Sequence, residues 1–105
     1  MIEKIKKLLG IKSVDFAQLA KQGAVIIDVR NPSEYAGGHV KGSINIPLSQ
    51  LPQHLAKLKD KTKPIITCCA SGMRSASAKS FLKSSGYTEV YNGGGWLTLN
   101  RKIKP

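Results

Sequence analysis

Residues 64–86 read PIITCCASGMRSASAKSFLKSSG, and the fold turns on this stretch. Pro64 opens a short uncharged run, Ile65-Ile66-Thr67-Cys68. Such a run reads as a strand buried on both faces, and so as part of a parallel sheet. Cys69 to Arg74 is a small loop of mostly short side chains. Ser75 to Ser85 then reads as a helix carrying Ala76, Ala78, Phe81 and Leu82, with Gly86 as its stop. Strand, short loop and helix in this order form one βα unit.

The same alternation continues outward in both directions. Ser13 is a good N-cap for a helix through Phe16 and Leu19 to about Gln22, with Gly23 past its end. Ala24 to Val29 is a second apolar run, broken near its end by Asp28. Asn31-Pro32-Ser33-Glu34 is a helix start: Asn31 caps, Pro32 fits the first position, and Glu34 can reach back. Gly37-Gly38 ends that helix. Ser43 to Pro47 reads as a short strand, and Ser49 as the cap of a helix bearing Leu51, Leu55 and Leu58. Tyr87 to Tyr91 is a further strand. Asn92-Gly93-Gly94-Gly95 reads as a loop into a last helix around Trp96, Leu97 and Leu99. Strands alternating with helices predict an open α/β sheet with helices on both faces.

The chain has 105 residues, of which 41% are apolar and 22% charged. That is the size and mix of one globular domain spanning 1–105, with a helical extension at 1–10 and a core at 11–100. In the extension Ile2, Ile5, Leu8 and Leu9 recur at helical spacing among lysines, which predicts a helix packed on its own domain rather than a membrane anchor. The longest apolar runs are a few residues, so no membrane-spanning helix is expected. No signal peptide is expected either, because charges interrupt the start.

Seventeen basic and six acidic residues give a net charge of +11, which points to an anionic partner or substrate. Only Arg30, Arg74 and Arg101 are arginines, and aromatics make up 6%. Nucleic-acid readers draw on Arg forks and stacked aromatics, so a solvated basic surface is the expectation and no nucleic acid is expected as a partner. The two cysteines, Cys68 and Cys69, are neighbours. Their Cα atoms lie about 3.8 Å apart, below the usual span of a disulfide. No Cys/His set has metal-ligand spacing. These features predict a reducing, cytoplasmic setting and a reactive thiol.

The loop Cys69-Ala70-Ser71-Gly72-Met73-Arg74 leaves the carboxyl end of a strand, where open α/β sheets bind ligands. Gly72 permits a positive φ, so successive N–H groups can turn inward as an anion nest, backed by the positive end of the next helix. A thiol in such a cup should ionise more readily than usual, and Arg74 offers a fork to an oxyanion. Two frames are open. From Cys68 the segment is Cys-x5-Arg, the spacing of a cysteine phosphatase loop. From Cys69 it is Cys-x4-Arg, a tighter cup suited to a nucleophile carrying one extra sulfur. Gly72 sits where the shorter frame wants it, and no Asp or Glu has an obvious claim as the acid a phosphatase needs.

Cys69-Ala70-Ser71-Gly72-Met73-Arg74-Ser75 resembles the six-residue active loop of the rhodanese family. Ile27-Asp28-Val29-Arg30, Pro32, Glu34-Tyr35 and Gly38-His39-Val40-Lys41-Gly42-Ser43-Ile44-Asn45-Ile46-Pro47 resemble that family's first signature. Val90-Tyr91-Asn92-Gly93-Gly94-Gly95-Trp96 resembles its last. The resemblance covers residues 11–100 in order. It implies an open five-stranded parallel sheet and sulfur transfer without metal or organic cofactor. Cys69 would take sulfur from a small anionic donor, thiosulfate or a persulfide. It would pass that sulfur to a thiol or protein acceptor. Ala70, Ser71, Gly72, Met73, Arg74 and Ser75 would form the binding loop, and a monomer is expected. Ala70 stands where many thiosulfate-using relatives carry a basic residue, and no twin domain covers the loop. An open pocket and a preference for persulfide donors follow.

Other residues have quieter readings. Asp28 and Arg30, at a strand's carboxyl end, are expected to pair or to hold the neighbouring loop. His39 is expected to make a structural hydrogen bond, His54 to be solvated, and Trp96 to pack. Lys41, Lys79 and Lys83 are candidates for the pocket mouth. A cysteine phosphatase or arsenate-reductase-like enzyme on the same fold, and a basic protein-docking module, remain the alternative functions.

Overall fold

The computed structural model describes residues 14–104. The expected helix at 2–9 and the expected cap Ser13 lie outside those residues. The elements, in chain order, are α1 (Phe16–Lys21), β1 (Val25–Asp28), α2 (Pro32–Ala36) and β2 (Ile44–Asn45). A 3₁₀ segment (Leu48–Lys57), β3 (Ile65–Cys69), α3 (Met73–Ser84), β4 (Val90–Gly95) and α4 (Trp96–Ile103) follow. The strands pair in parallel in the order β2-β1-β3-β4.

This order leaves β1 and β3 in the interior of the sheet, which is why their residues are the most apolar. Side chains alternate across a strand, and the core divides accordingly. Ile27, Ile65, Cys69, Ala78 and Leu82 join Leu51 and Leu58 on one side. Ile26, Ile66 and Cys68 join Phe16 and Leu99 on the other. The 3₁₀ segment and α3 therefore cover one face, while α1 and α4 cover the opposite one. Ile27, Leu51, Ile66, Leu82 and Leu99 are fully buried, each worth about 1.5–3 kcal/mol of removal from water.

Several expectations are corrected. The described residues contain four strands, not five. The chain offers only four strand-like runs there, and the fifth came from the resemblance. The cap of α1 is Asp15, whose carboxylate accepts the Gln18 N–H at 3.0 Å. Ser49 caps nothing: the segment is a 3₁₀ helix that begins at Leu48 after Pro47 and contains Pro52. A proline there has no N–H for an α-helical bond and crowds the carbonyl four residues back, so the tighter form persists. Helix α3 begins at Met73, two residues earlier than expected, and β3 runs on through Cys69. Finally, residues 92–95 are strand rather than loop. Gly93 explains this. A Cβ there would stand 2.9 Å from Ile66, Leu99 and the Thr67 carbonyl, so only glycine lets β4 lie that close to β3 and α4. No helix among the described residues is long and apolar enough to cross a membrane.

Candidate active site

Strand β3 delivers Cys68 and Cys69 to opposite faces of the sheet. Both are free and buried. Cys68 points to the α1/α4 side. Burial, together with the nearby Asp28 carboxylate, pushes its thiol up to about 12. Cys69 lies on the α3 side, at the carboxyl edge of the sheet, and has a different environment.

The turn after Cys69 is closed by Gly72, which has φ +101° and precedes the first residue of α3. That backbone region suits glycine. The space is also tight, since a Cβ at Gly72 would meet Gly94 Cα at 3.3 Å. The curl brings the Gly72 N–H to 3.0 Å and the Ser75 N–H to 3.4 Å from Cys69 Sγ. The Ser75 N–H belongs to the first turn of α3, where helix N–H groups lack intrahelical partners. Ser75 Oγ lies 3.4 Å from the same sulfur. Burial acts to raise the Cys69 thiol. Bonds from the Ser75 hydroxyl and from the Ser75, Gly72 and Ser71 N–H groups outweigh it, and the net shift is downward. Hydrogen bonds to the charged form are the cause.

Ser75 is itself held in place. Its hydroxyl donates to Asn92 Oδ1 at 2.6 Å and lies 3.1 Å from the Gly72 carbonyl. Asn92 Nδ2 donates to that carbonyl at 3.2 Å, and Asn92 Oδ1 accepts the Gly94 N–H at 2.9 Å. The glycine run of β4 thus braces the loop. At Gly95 an added Cβ would lie 2.8 Å from the Ala70 carbonyl.

Arg74 does not stand free. Its Nη1 and Nη2 bond both carboxylate oxygens of Glu34, at 2.8 and 3.0 Å. Glu34 also accepts the Asn31 N–H at 3.0 Å. These bonds, the Arg74 pairing first, hold the Glu34 carboxyl down at about 2. The expectation of Arg74 as a free oxyanion fork is therefore corrected: its fork is occupied.

Asp28 and Arg30 pair, with Nε at 2.9 Å from Oδ1 and Nη2 at 2.8 Å from Oδ2. Arg30 also donates to the carbonyls of Glu34 at 3.3 Å and Gly38 at 2.7 Å, and its guanidinium lies 4.8 Å from the Trp96 ring centroid. Gly38, at φ +150°, leaves room for that ring. The pair therefore holds the 31–38 segment that carries Glu34. His39 stacks on Tyr35 and contacts its carbonyl at 2.8 Å, a local structural role. His54 contacts the Gln50 carbonyl at an exposed site. Lys79 and Lys83 line a separate cavity with Glu89 and Tyr91, whose walls do not include the loop.

Ala70, Ser71 and Met73 are exposed, but Cys69 has no exposed surface. The expected open pocket is thus a closed cup, because the loop wraps the sulfur in its own N–H groups. Asn92, Gly94 and the Glu34–Arg74 pairing escaped the reading of the sequence. Turn propensity reads Asn92 as the start of a loop, and the local cap of α2 already accounts for Glu34. Among the described residues no three His, Cys, Asp or Glu side chains gather as a metal site.

An α/β sheet that seats an activated cysteine at its carboxyl edge, inside a tight Cys-x4-Arg loop, defines a class of thiol-dependent domains. The chain belongs to the rhodanese-like domain family, whose model matches residues 13–98. It is 44% identical over 82 residues to YqhL of Bacillus subtilis, covering 77% of this chain and 64% of that protein. It is 39% identical over 83 residues to thiosulfate sulfurtransferase GlpE of Stutzerimonas stutzeri, covering 79% of this chain and 75% of that one. A rhodanese structure with anions from E. coli superposes with a TM-score of 0.69 at 39% identity, over 72% of this chain and 91% of that chain.

Proposed function

We propose that this protein is a sulfurtransferase that carries sulfane sulfur on Cys69. The observation that carries the reading is a cysteine whose sulfur accepts N–H bonds from Gly72 and Ser75 at the head of α3. Relatives named thiosulfate sulfurtransferase support it. In the first half-reaction Cys69 Sγ, as thiolate, attacks the outer sulfur of the donor. A new S–S bond forms, and the donor's own bond to that sulfur breaks. Sulfite leaves with the electron pair if the donor is thiosulfate, and a thiolate leaves if it is a persulfide. In the second half-reaction a nucleophilic acceptor takes the outer sulfur, and Cys69 departs as thiolate. This is covalent catalysis with ping-pong kinetics. Because Cys69 is fully buried, the 70–72 backbone must give way slightly for a donor to reach it. A reducing, cytoplasmic setting suits the free thiol. One chain supplies the whole loop, so a monomer suffices.

Donor choice follows from charge. Arg74 is occupied by Glu34, position 70 is alanine and position 73 is methionine. Within the loop no unpaired cation greets a doubly negative donor, so a persulfide is the better substrate. The phosphatase reading has less support, since the frame it favours begins at Cys68, whose thiol faces the other side of the sheet.

The test is intact mass after incubation of reduced protein with thiosulfate, and separately with a small persulfide. One sulfur atom gained, lost on adding cyanide and absent in Cys69→Ser, is the expected result. No gain with either donor would overturn the reading.

A further inference from the structure

Ser75 is fully buried, and its hydroxyl lies among three acceptors. Asn92 Oδ1 is at 2.6 Å, the Gly72 carbonyl at 3.1 Å and Cys69 Sγ at 3.4 Å. A hydroxyl has one proton to give. The Asn92 amide is oriented from both ends. Its Nδ2 donates to the Gly72 carbonyl and its Oδ1 accepts the Gly94 N–H. The oxygen that faces Ser75 is therefore an acceptor, and the 2.6 Å contact requires Ser75 to be the donor. With the proton committed there, Ser75 Oγ is free to accept from the Cys69 thiol. The resting chain runs from Sγ–H to Oγ–H to Oδ1.

A thiolate reverses the first link, because it has no proton to give and needs donors. Hydrogen bonds to a charged partner are about twice as strong as neutral ones. We propose that Asn92 is a positioning residue that holds the Ser75 proton while Sγ is uncharged and yields it to Sγ when the sulfur becomes a thiolate. The use of this device in turnover rests on the sulfurtransferase reading. Sγ is uncharged as a thiol and as the inner sulfur of a persulfide. It is charged as it attacks the donor, and again when the acceptor removes the outer sulfur and the pair of the broken S–S bond stays on Sγ. No proton leaves Ser75 in either step. The hydroxyl only rotates from Asn92 Oδ1 to Sγ, and the strength of the Asn92 bond, the shortest of its three contacts, sets how readily it does so.

The test is the pH midpoint of Cys69 ionisation in the reduced full chain, read by ultraviolet thiolate absorbance and by the pH dependence of iodoacetamide alkylation. Cys68, pushed up to about 12, stays out of the window. Asn92→Ala removes the shorter of the two competing acceptors and leaves only the Gly72 carbonyl at 3.1 Å, and the midpoint should fall by about one pH unit, roughly a tenfold larger thiolate fraction below it. Ser75→Ala removes the shared donor, and the midpoint should rise. In the Ser75→Ala background, Asn92→Ala should produce no further fall. A merely structural Asn92 predicts the opposite sign, because freeing the Gly72 backbone weakens its N–H bond to Sγ and raises the midpoint. The proposal is overturned if Asn92→Ala leaves the midpoint unchanged or raises it, or if it lowers the midpoint equally without Ser75. Should Asn92→Ala not fold, Ser75→Ala decides: an unmoved midpoint means the proton never reaches Sγ. None of these measurements needs a sulfur donor. Their failure is thus separate from failure of the mass test for persulfide.

Discussion

Cys68 and Cys69 are neighbours in the chain and unlike in chemistry. As consecutive residues of a strand they point to opposite faces of the sheet, which puts one sulfur in an apolar layer beside Asp28 and the other in a ring of donors. Cys68→Ser should therefore leave persulfide formation intact, at a cost of about 1–3 kcal/mol in stability for a hydroxyl in that apolar layer, while Cys69→Ser abolishes it; mass spectrometry of the loaded proteins reads both. The same contrast gives a pH profile. The Cys69 thiol is held below its ordinary value, so the rate of the first half-reaction should rise with pH through a midpoint below about 8.5, the usual thiol value. A single-turnover pH series measures it, and a midpoint at or above the usual value would contradict the ring of donors. Stability follows with a definite sign. A depressed folded-state value means the Cys69 contribution is present above the unfolded thiol value and is lost as pH falls through the folded one. The melting temperature of the native chain relative to Cys69→Ser should therefore rise as pH rises through that window. Glu34, held down at about 2, stays ionised throughout and contributes nothing to this limb.

Strand β4 ends in three glycines, and two of them, Gly93 and Gly95, crowd different neighbours. Gly93 faces Ile66, Leu99 and the Thr67 carbonyl, while Gly95 faces the Ala70 carbonyl. Gly93→Ala should overpack the junction of β3, β4 and α4 and cost about 1–3 kcal/mol, seen as a lower denaturation midpoint. Gly95→Ala should instead shift the 70–72 backbone. Its signature is reduced activity out of proportion to lost stability, measured on the same sample. The glycine run was visible in the sequence, but its meaning was not. Local turn propensity reads Asn-Gly-Gly-Gly as a loop, and only the partners across the sheet show why glycine extends a strand there. Elements whose signals are local were legible: the Asn31-Pro32-Glu34 helix start, Gly23 and Gly86 after their helices, and the buried runs of β1 and β3. The 3₁₀ segment is not legible, because Leu51, Leu55 and Leu58 at helical spacing mask the effect of Pro52. The Cys69 loop was legible in its spacing and its glycine. The capture of Arg74 by Glu34 was not, since the two residues are joined only by the way α2 and α3 converge.

At the scale of the molecule, two electrostatic effects act on a donor, and they separate by range. The chain carries a net charge of +11, a field that draws anions toward any part of the surface. The loop itself adds little, with Arg74 neutralised by Glu34 at 2.8 and 3.0 Å and the nearby Arg30 neutralised by Asp28 at 2.8 Å. Attraction of thiosulfate is then mostly long-range, and long-range attraction is screened. The Debye length is about 10 Å at 0.1 M salt and about 3 Å at 1 M. The specificity constant for thiosulfate, which carries two charges, should fall severalfold between low and high ionic strength, while that for a singly charged persulfide falls less. Ala70→Lys puts a cation at the mouth of the cup, within a few ångströms of the bound anion, where screening is weaker. That variant should raise the thiosulfate constant by about tenfold, the equivalent of ~1.4 kcal/mol of added attraction. It should also lessen the salt dependence, because a local contact replaces part of the diffuse field. Steady-state kinetics of both proteins with both donors across a salt series measures the effect. If native thiosulfate turnover proves insensitive to salt and Ala70→Lys gains nothing, a local cation already serves the donor, and the pairing of Arg74 with Glu34 must open during turnover.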